Sequence, residues 1–174
     1  MAAPGAAGPG QAGPDTAGEV HFYHLTRSPA EHVLAELLRR SLERGWRALV
    51  RGTDRARLER LDEWLWLHPD EGFLPHGLAG GPHDARQPVL LTDAPGPGAN
   101  RPDVVFLIDG AAPDPAEARS CRRLCLLFAA AEAGAVEAAR AHWRAVCDAG
   151  LAAFYWSEES GRWECRRRHP PAGN

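Results

Sequence analysis

Short apolar runs and helical stripes of apolar residues alternate along the chain from Glu19 onward. Runs of β-branched and aromatic residues between turn formers predict strands, and continuous apolar runs predict strands that are covered on both faces. The predicted strands are Val20–Leu25, Trp46–Arg51, Val89–Thr92, Val104–Asp109, Leu124–Phe128 and Leu151–Trp156, with a hairpin strand at Arg162–Cys165.

Helices are predicted between these strands, where apolar residues recur three and four positions apart. Ser28 and Glu31 form a capping-box pattern for the first helix, and Thr53 is the predicted cap of the second. Strands that alternate with helices predict an α/β fold, a single domain with a mostly parallel sheet and helices on both faces. The predicted helices are 29–44, Asp54–Leu67 and Glu132–Ala149, with one or two turns in Pro113–Ser120.

The two ends of the chain differ in composition from the middle. Residues 1–18 are mostly Ala, Gly and Pro, which bury too little surface to offset the entropy of ordering, so a disordered leader is predicted there. The α/β domain is predicted to cover residues 19–165. Residues 166–174, RRRHPPAGN, are predicted to be a frayed tail.

Charge and cysteine content narrow the function classes for this 174-residue chain. The formal net charge of −3 argues against broad binding to nucleic-acid phosphates. No apolar run approaches the ~20 residues of a membrane span, and a signal peptide pattern is absent, so no membrane contact is expected. The four cysteines show no disulfide or metal spacing, which indicates a reduced, cytoplasmic protein.

The predicted fold resembles a mononucleotide-binding fold without its phosphate loop. The first strand-to-helix turn reads LTRSPA and lacks the glycines that let a backbone approach a phosphate. Neither GxGxxG nor GxxxxGK[ST] occurs in the chain. No serine has a nucleophile setting, and the adjacent Asp62 and Glu63 point about 100° apart on a helix. No enzyme activity and no cofactor are therefore expected.

Three histidines flank the loop that follows the second helix: His68, His76 and His83. With Asp70, Glu71 or Asp84 they offer ligands for a metal, although zinc sites favour tighter spacing. Hydrogen bonds from loop histidines to backbone carbonyls are the favoured interpretation, and no metal is predicted. The alternative function is an α/β enzyme with a remodelled nucleotide or metal site near His76 and His83.

Arg140, Trp143 and Arg144 occupy neighbouring rows of the last long helix at positions i, i+3 and i+4. Such a stripe commonly closes the edge of a core while its arginines face water. The same residue types also suit an apolar group that lies next to carboxylates. Trp66 and Phe73 add aromatic residues outside the predicted core, which favours a binding surface.

Several ordered blocks of the sequence resemble the chi subunit of the bacterial DNA polymerase III holoenzyme. LDEWLW and FLPHGLAG lie in Leu61–Gly80, followed by PVLLT at Pro88–Thr92, VVFLIDG at Val104–Gly110 and ARAHWRAVCDAG at Ala139–Gly150. The resemblance covers about residues 19–165. It implies an α/β fold that has lost its phosphate loop and a non-catalytic subunit of the clamp-loader assembly.

The resemblance also implies two binding surfaces. Chi subunits bind the acidic C-terminal tail of single-stranded-DNA-binding protein (SSB), which ends in phenylalanine, and that site would here comprise Trp66, Arg140, Trp143 and Arg144. Phe73 matches a position that binds the psi subunit or a competing helicase. The implied protein is an adaptor at the replication fork that associates indirectly with single-stranded DNA, as a monomer within a hetero-complex.

One position departs from the family pattern. Chi subunits carry a basic residue one turn before the arginine, where this chain has Val136. A lower or less salt-sensitive tail affinity is therefore expected. Direct binding of single-stranded DNA through exposed tryptophans is a third hypothesis, disfavoured by the acidic net charge.

Overall fold

The predicted alternation of strands and helices is present in the computed structural model, which describes residues 18–68 and 72–170. Apart from Gly18, the predicted leader lies outside the described residues. The elements are β1 (Glu19–Leu25), α1 (Ala30–Glu43), β2 (Ala48–Arg51), α2 (Arg55–Leu67), β3 (Gly77–Leu78), β4 (Val89–Thr92), β5 (Val104–Leu107), α3 (Pro115–Ser120), β6 (Arg123–Ala129), α4 (Ala135–Asp148), β7 (Ala153–Ser157) and β8 (Glu164–His169), with a 3-10 turn at Asp84–Arg86.

The eight strands form one sheet in the order β3-β4-β2-β5-β6-β1-β7-β8. The neighbours from β3 to β7 all pair in parallel, and only β8 pairs in an antiparallel direction, with β7. Strands β4, β2 and β5 are buried along their whole length, as their continuous apolar sequences predict. The predicted mostly parallel α/β fold is confirmed.

Helices cover both faces of this sheet. The face on which a helix packs determines which side chains of other helices it can contact. Strand β1 shows the two faces, since Phe22 points into one core cluster and Tyr23 into the other. Helices α1 and α2 pack on the Tyr23 face through residues such as Leu34 and Leu61. Helices α3 and α4 pack on the Phe22 face, where Trp143 belongs to the core. Helices α2 and α4 therefore lie on opposite sides of the sheet.

The helix starts differ from the predicted ones. Pro29 is the N-cap residue of α1 and makes no side-chain cap, while the Ser28 hydroxyl donates to the carboxylate of Glu158 instead. The predicted capping box is therefore wrong, because a distant carboxylate is the stronger acceptor. Asp54, and not Thr53, caps α2 by accepting the N–H groups of Ala56 and Arg57.

The end of the sheet was predicted less well than its centre. Strand β8 continues to His169, four residues past the predicted domain end, and residues 166–169 are not a frayed tail. A run of arginines resembles a solvated tail in sequence, but an edge strand is held by backbone pairing and leaves such side chains exposed. Residues 171–174 lie outside the described part of the chain.

Candidate functional site

A cavity of about 740 Å³ opens between α4 and the β7–β8 hairpin. Helix α4 forms one wall and the last two strands of the sheet form the other. We call this cavity the arginine pocket; its lining residues include Arg140, Trp143, Arg144, Cys147, Tyr155 and Arg167. Three of the four residues predicted to bind a tail thus line one cavity: Arg140, Trp143 and Arg144.

Trp143 forms the floor of the arginine pocket. Its side chain is only 7% exposed and packs against Phe22 and Tyr155, with ring centroids 5.3 Å and 6.2 Å away. Burial raises the pKa of the Tyr155 hydroxyl, whose oxygen lies 2.7 Å from Nδ1 of His24. The pocket floor is therefore a rigid aromatic surface, held by core packing and by one polar contact.

The guanidinium groups around this floor are exposed. Within the part of the chain that the structure describes, no ion pair joins Arg140, Arg144 or Arg167 to a carboxylate. Asp148 is the one acidic residue among the pocket's lining residues. The combination of an apolar floor and several unpaired cations suits a ligand with one apolar group and at least one carboxylate.

Trp66 does not join this pocket, and the predicted four-residue site is therefore wrong as a single site. Its helix, α2, packs on the opposite face of the sheet from α4. The Trp66 ring instead lies 5.5 Å from the ring of Phe73 and 4.6 Å from that of His76. The sequence motif located Trp66 on α2 correctly, but only the sheet topology shows which face α2 covers.

Trp66 and Phe73 belong to a second surface. Trp66 is 49% exposed, Leu67 68% and Phe73 72%, and these are the large hydrophobic residues that the described part of the chain leaves exposed. We call these three residues the aromatic patch. Exposed apolar side chains that cluster in this way commonly mark a protein-binding surface.

His76 anchors the loop that carries Phe73. Its Nδ1 lies 2.7 Å from the carbonyl of Leu74, and its Nε2 lies 3.2 Å from the carbonyl of Asp62 on α2. The predicted contacts of a loop histidine with backbone carbonyls are confirmed at this position. The histidine ties the loop to α2, so it holds the aromatic patch in a fixed geometry.

The alternative metal site gains no support from the described residues. His76 already uses both ring nitrogens, and the His68 ring stacks on Trp64 at 4.8 Å. No group of three or more His, Cys, Asp or Glu side chains within residues 18–68 and 72–170 is placed to hold a metal ion. Asp70 and Glu71, two of the predicted ligands, lie outside this range.

The β1–α1 turn is the place where a mononucleotide-binding fold holds a phosphate. Here the carboxylate of Glu158 occupies the turn and accepts the backbone N–H groups of Thr26, Arg27 and Ser28 at 2.7–3.0 Å, together with the Ser28 hydroxyl at 2.6 Å. Glu158 follows β7, so an anion from within the chain fills this position. These hydrogen bonds also connect the end of β7 to the start of α1.

Glu158→Gln is expected to lower the free energy of unfolding by about 1.5 kcal/mol at pH 7, because charge-assisted hydrogen bonds are lost. Burial raises the pKa of Glu158, but the hydrogen bonds from Ser28, Arg27 and Thr26 outweigh it and leave that pKa below its ordinary value. The stabilisation is therefore present above about pH 5 and is lost as the pH falls through the lowered pKa.

Urea unfolding at pH 7 and at pH 3.5 tests this expectation, with Glu159→Gln as the matched control. Glu159 is the exposed neighbour of Glu158 and its substitution is expected to change stability by less than about 0.5 kcal/mol. Equal losses in the two variants, or a loss that grows as the pH falls, would contradict the role assigned to Glu158.

Sequence reasoning missed the β7–β8 wall of the arginine pocket. The sequence predicts a strand at Tyr155 without a role for its side chain, and it places Arg166, Arg167 and Arg168 in the tail. A signal was available, since the arginine run directly follows a Ser-Gly turn and a strand-like WEC segment. Val136, in contrast, is half-buried against the core and does not line the pocket.

Comparison with known proteins gives one family. The family described as DNA polymerase III chi subunit, HolC, matches residues 18–153. The DNA polymerase III subunit chi of Escherichia coli strain K12 is 32% identical over 79 residues, which are 45% of this chain and 54% of that protein. The probable DNA polymerase III subunit chi of Rickettsia prowazekii strain Madrid E is 27% identical over 71 residues, 41% of this chain and 43% of that protein.

These matches span about half the length of the curated relatives. The family match runs from β1 to the start of β7 and leaves β8 outside the matched range. Among the described residues, no helix combines the length and the apolar character that crossing a bilayer requires.

Proposed function

The chain belongs to the DNA polymerase III chi subunit family, and from this premise we propose that it is a non-catalytic adaptor of the polymerase's clamp-loader complex. The arginine pocket binds the acidic C-terminal tail of SSB. The aromatic patch binds a second protein, the psi subunit or a helicase. Through SSB the chain associates indirectly with single-stranded DNA, in the cytoplasm and as a monomer within a hetero-complex.

The arginine pocket carries the proposal for the SSB tail. A tail that ends in phenylalanine presents a phenyl ring, a terminal carboxylate and acidic side chains. The ring fits the aromatic floor at Trp143 and Tyr155, and the carboxylate fits the fork of donors on Arg140. Arg144, one turn further along α4, adds attraction for the acidic residues before the ring.

The aromatic patch supports the proposal for a second partner. It lies on α2 and the loop after it, on the face of the sheet opposite to α4, so its ligand does not compete with the SSB tail for space. Its exposed side chains are the type that interface hot spots favour. One chain can therefore hold SSB and a replication protein at the same time.

Fluorescence anisotropy with a labelled peptide tests the proposed function. Like the SSB tail, the peptide carries acidic residues followed by a C-terminal phenylalanine. A micromolar dissociation constant is expected for the peptide with a free C-terminal carboxylate, and weaker binding as salt is added. The matched control is the same peptide with a C-terminal amide, which is expected to bind at least tenfold more weakly. Equal binding of acid and amide, or no binding of either, would refute the proposal.

A further inference from the structure

Strand β8 brings a cation to the arginine pocket from outside α4. In the β7–β8 register Tyr155 is paired with Arg167, and Phe154 with Arg168. Directly paired residues of an antiparallel ladder point to the same face. Arg167 therefore shares the face of Tyr155 and α4, while Arg168 lies over the ring of Phe154, 5.9 Å from its centroid, on the other face.

The guanidinium of Arg167 lies above the floor of the pocket, 5.4 Å from the centroid of the Trp143 ring. Its charge also reaches Cys147 on the α4 wall, where it opposes the rise in the thiol's pKa that burial causes. A cation–π contact at an exposed site is weak. It leaves the N–H donors of the guanidinium available to a ligand.

Two other arginines of the hairpin are committed to a carboxylate, while the third, Arg168, lies over the ring of Phe154. Arg162 and Arg166 both pair with Glu164, at 2.8 Å and 3.4 Å. Arg167 has no such ion pair among the described residues. The bulge between Tyr155 and Trp156 explains the difference, because it makes Arg166 the unpaired extra residue and sets Arg167 opposite Tyr155.

We propose that Arg167 is a ligand-binding residue of the arginine pocket and that it binds the acidic side chains that precede the C-terminal residue of the bound peptide. The inference rests on the proposed function. A single terminal carboxylate needs one guanidinium fork, which Arg140 supplies. Cations from α4 and β8 around one aromatic floor match a ligand with more than one carboxylate, and Asp148 alone among the lining residues opposes them.

The test is a cycle of two protein variants and two peptides. Arg167→Ala is expected to weaken binding of the acidic peptide about fivefold. A second peptide keeps its terminal carboxylate, but its acidic residues are replaced by the corresponding amides. Wild type is expected to bind this second peptide more weakly than the acidic peptide, and Arg167→Ala is expected to bind it as well as wild type does. Arg162→Ala is the matched control, since Arg162 lies on the same hairpin, has a 75% exposed side chain and does not line the pocket.

A merely structural role for Arg167 would give equal losses with both peptides, which would overturn the inference. Unchanged affinity of Arg167→Ala for the acidic peptide would also overturn it and leave the proposed function intact. Failure of wild type to bind either peptide would instead refute the proposed function. A thymidine oligonucleotide serves as a competitor. If it displaces the peptide from wild type but not from Arg167→Ala, Arg167 binds nucleic acid and the inference is overturned.

Discussion

Arg140→Ala is expected to weaken binding of the SSB tail peptide about 30-fold, which corresponds to about 2 kcal/mol. Arg140 lines the pocket and has no ion pair with a carboxylate of the described residues, so its donors are available to the terminal carboxylate of the ligand. Truncation of one member of a charge pair that becomes buried on binding leaves the other charge without a partner. Anisotropy or calorimetry with the acid and amide peptides measures the loss.

The amide peptide makes this prediction specific. The amide lacks the charge that Arg140 binds, so Arg140→Ala is expected to change its affinity by less than twofold. Arg60→Ala serves as the matched control, because Arg60 is an exposed arginine on α2 and its loss changes the net charge equally. If Arg60→Ala weakens the acid peptide as much as Arg140→Ala does, the effect is general electrostatics and the assignment of Arg140 fails.

Phe73→Ala is expected to weaken binding of the second partner about 30-fold while it leaves tail binding within twofold of wild type. Phe73 is 72% exposed, so its ring contributes little to the core. The free energy of unfolding of the variant is therefore expected to lie within about 0.5 kcal/mol of the wild-type value. Titration of purified psi subunit and of purified helicase against immobilised chain measures the loss and identifies the partner.

Trp66→Ala is expected to show the same pattern as Phe73→Ala, because the two rings are in contact. Arg57→Ala is the control, because Arg57 is an exposed residue of α2 outside the aromatic patch. Leu42→Ala would not serve, because Leu42 packs against the core. Full binding of the partner by both Phe73→Ala and Trp66→Ala would show that the aromatic patch is not its docking surface.

Local sequence patterns predicted the elements of the central sheet because those elements are buried on both faces. The strands Val89–Thr92, Val104–Leu107 and Arg123–Ala129 differ from prediction by two residues or fewer at each end. The helix α4 begins at Ala135, three residues after the predicted start, because Gly134 in the left-handed region at φ 78° ends the preceding loop. Short β3 has only two residues and left no pattern to detect.

The candidate site could be predicted only in part, since it depends on which helix covers which face. Spacing along α4 correctly grouped Arg140, Trp143 and Arg144, which are neighbours within one element. The placement of Trp66 beside them required a contact between two helices, and no periodicity within a helix specifies the face of the sheet that it covers. Arg167 was missed for the same reason, because β-sheet register sets its position opposite Tyr155.

The arginine pocket and the aromatic patch are expected to bind different ligands, and the indole N–H signals of the six tryptophans distinguish the two surfaces. Titration of ¹⁵N-labelled chain with the SSB tail peptide is expected to shift the Trp143 indole signal, assigned by Trp143→Phe, and to leave the Trp66 signal, assigned by Trp66→Phe, in place. A shift of the Trp66 signal with an unchanged Trp143 signal would refute the assignment of the tail to the arginine pocket, because the tail would then bind the aromatic patch.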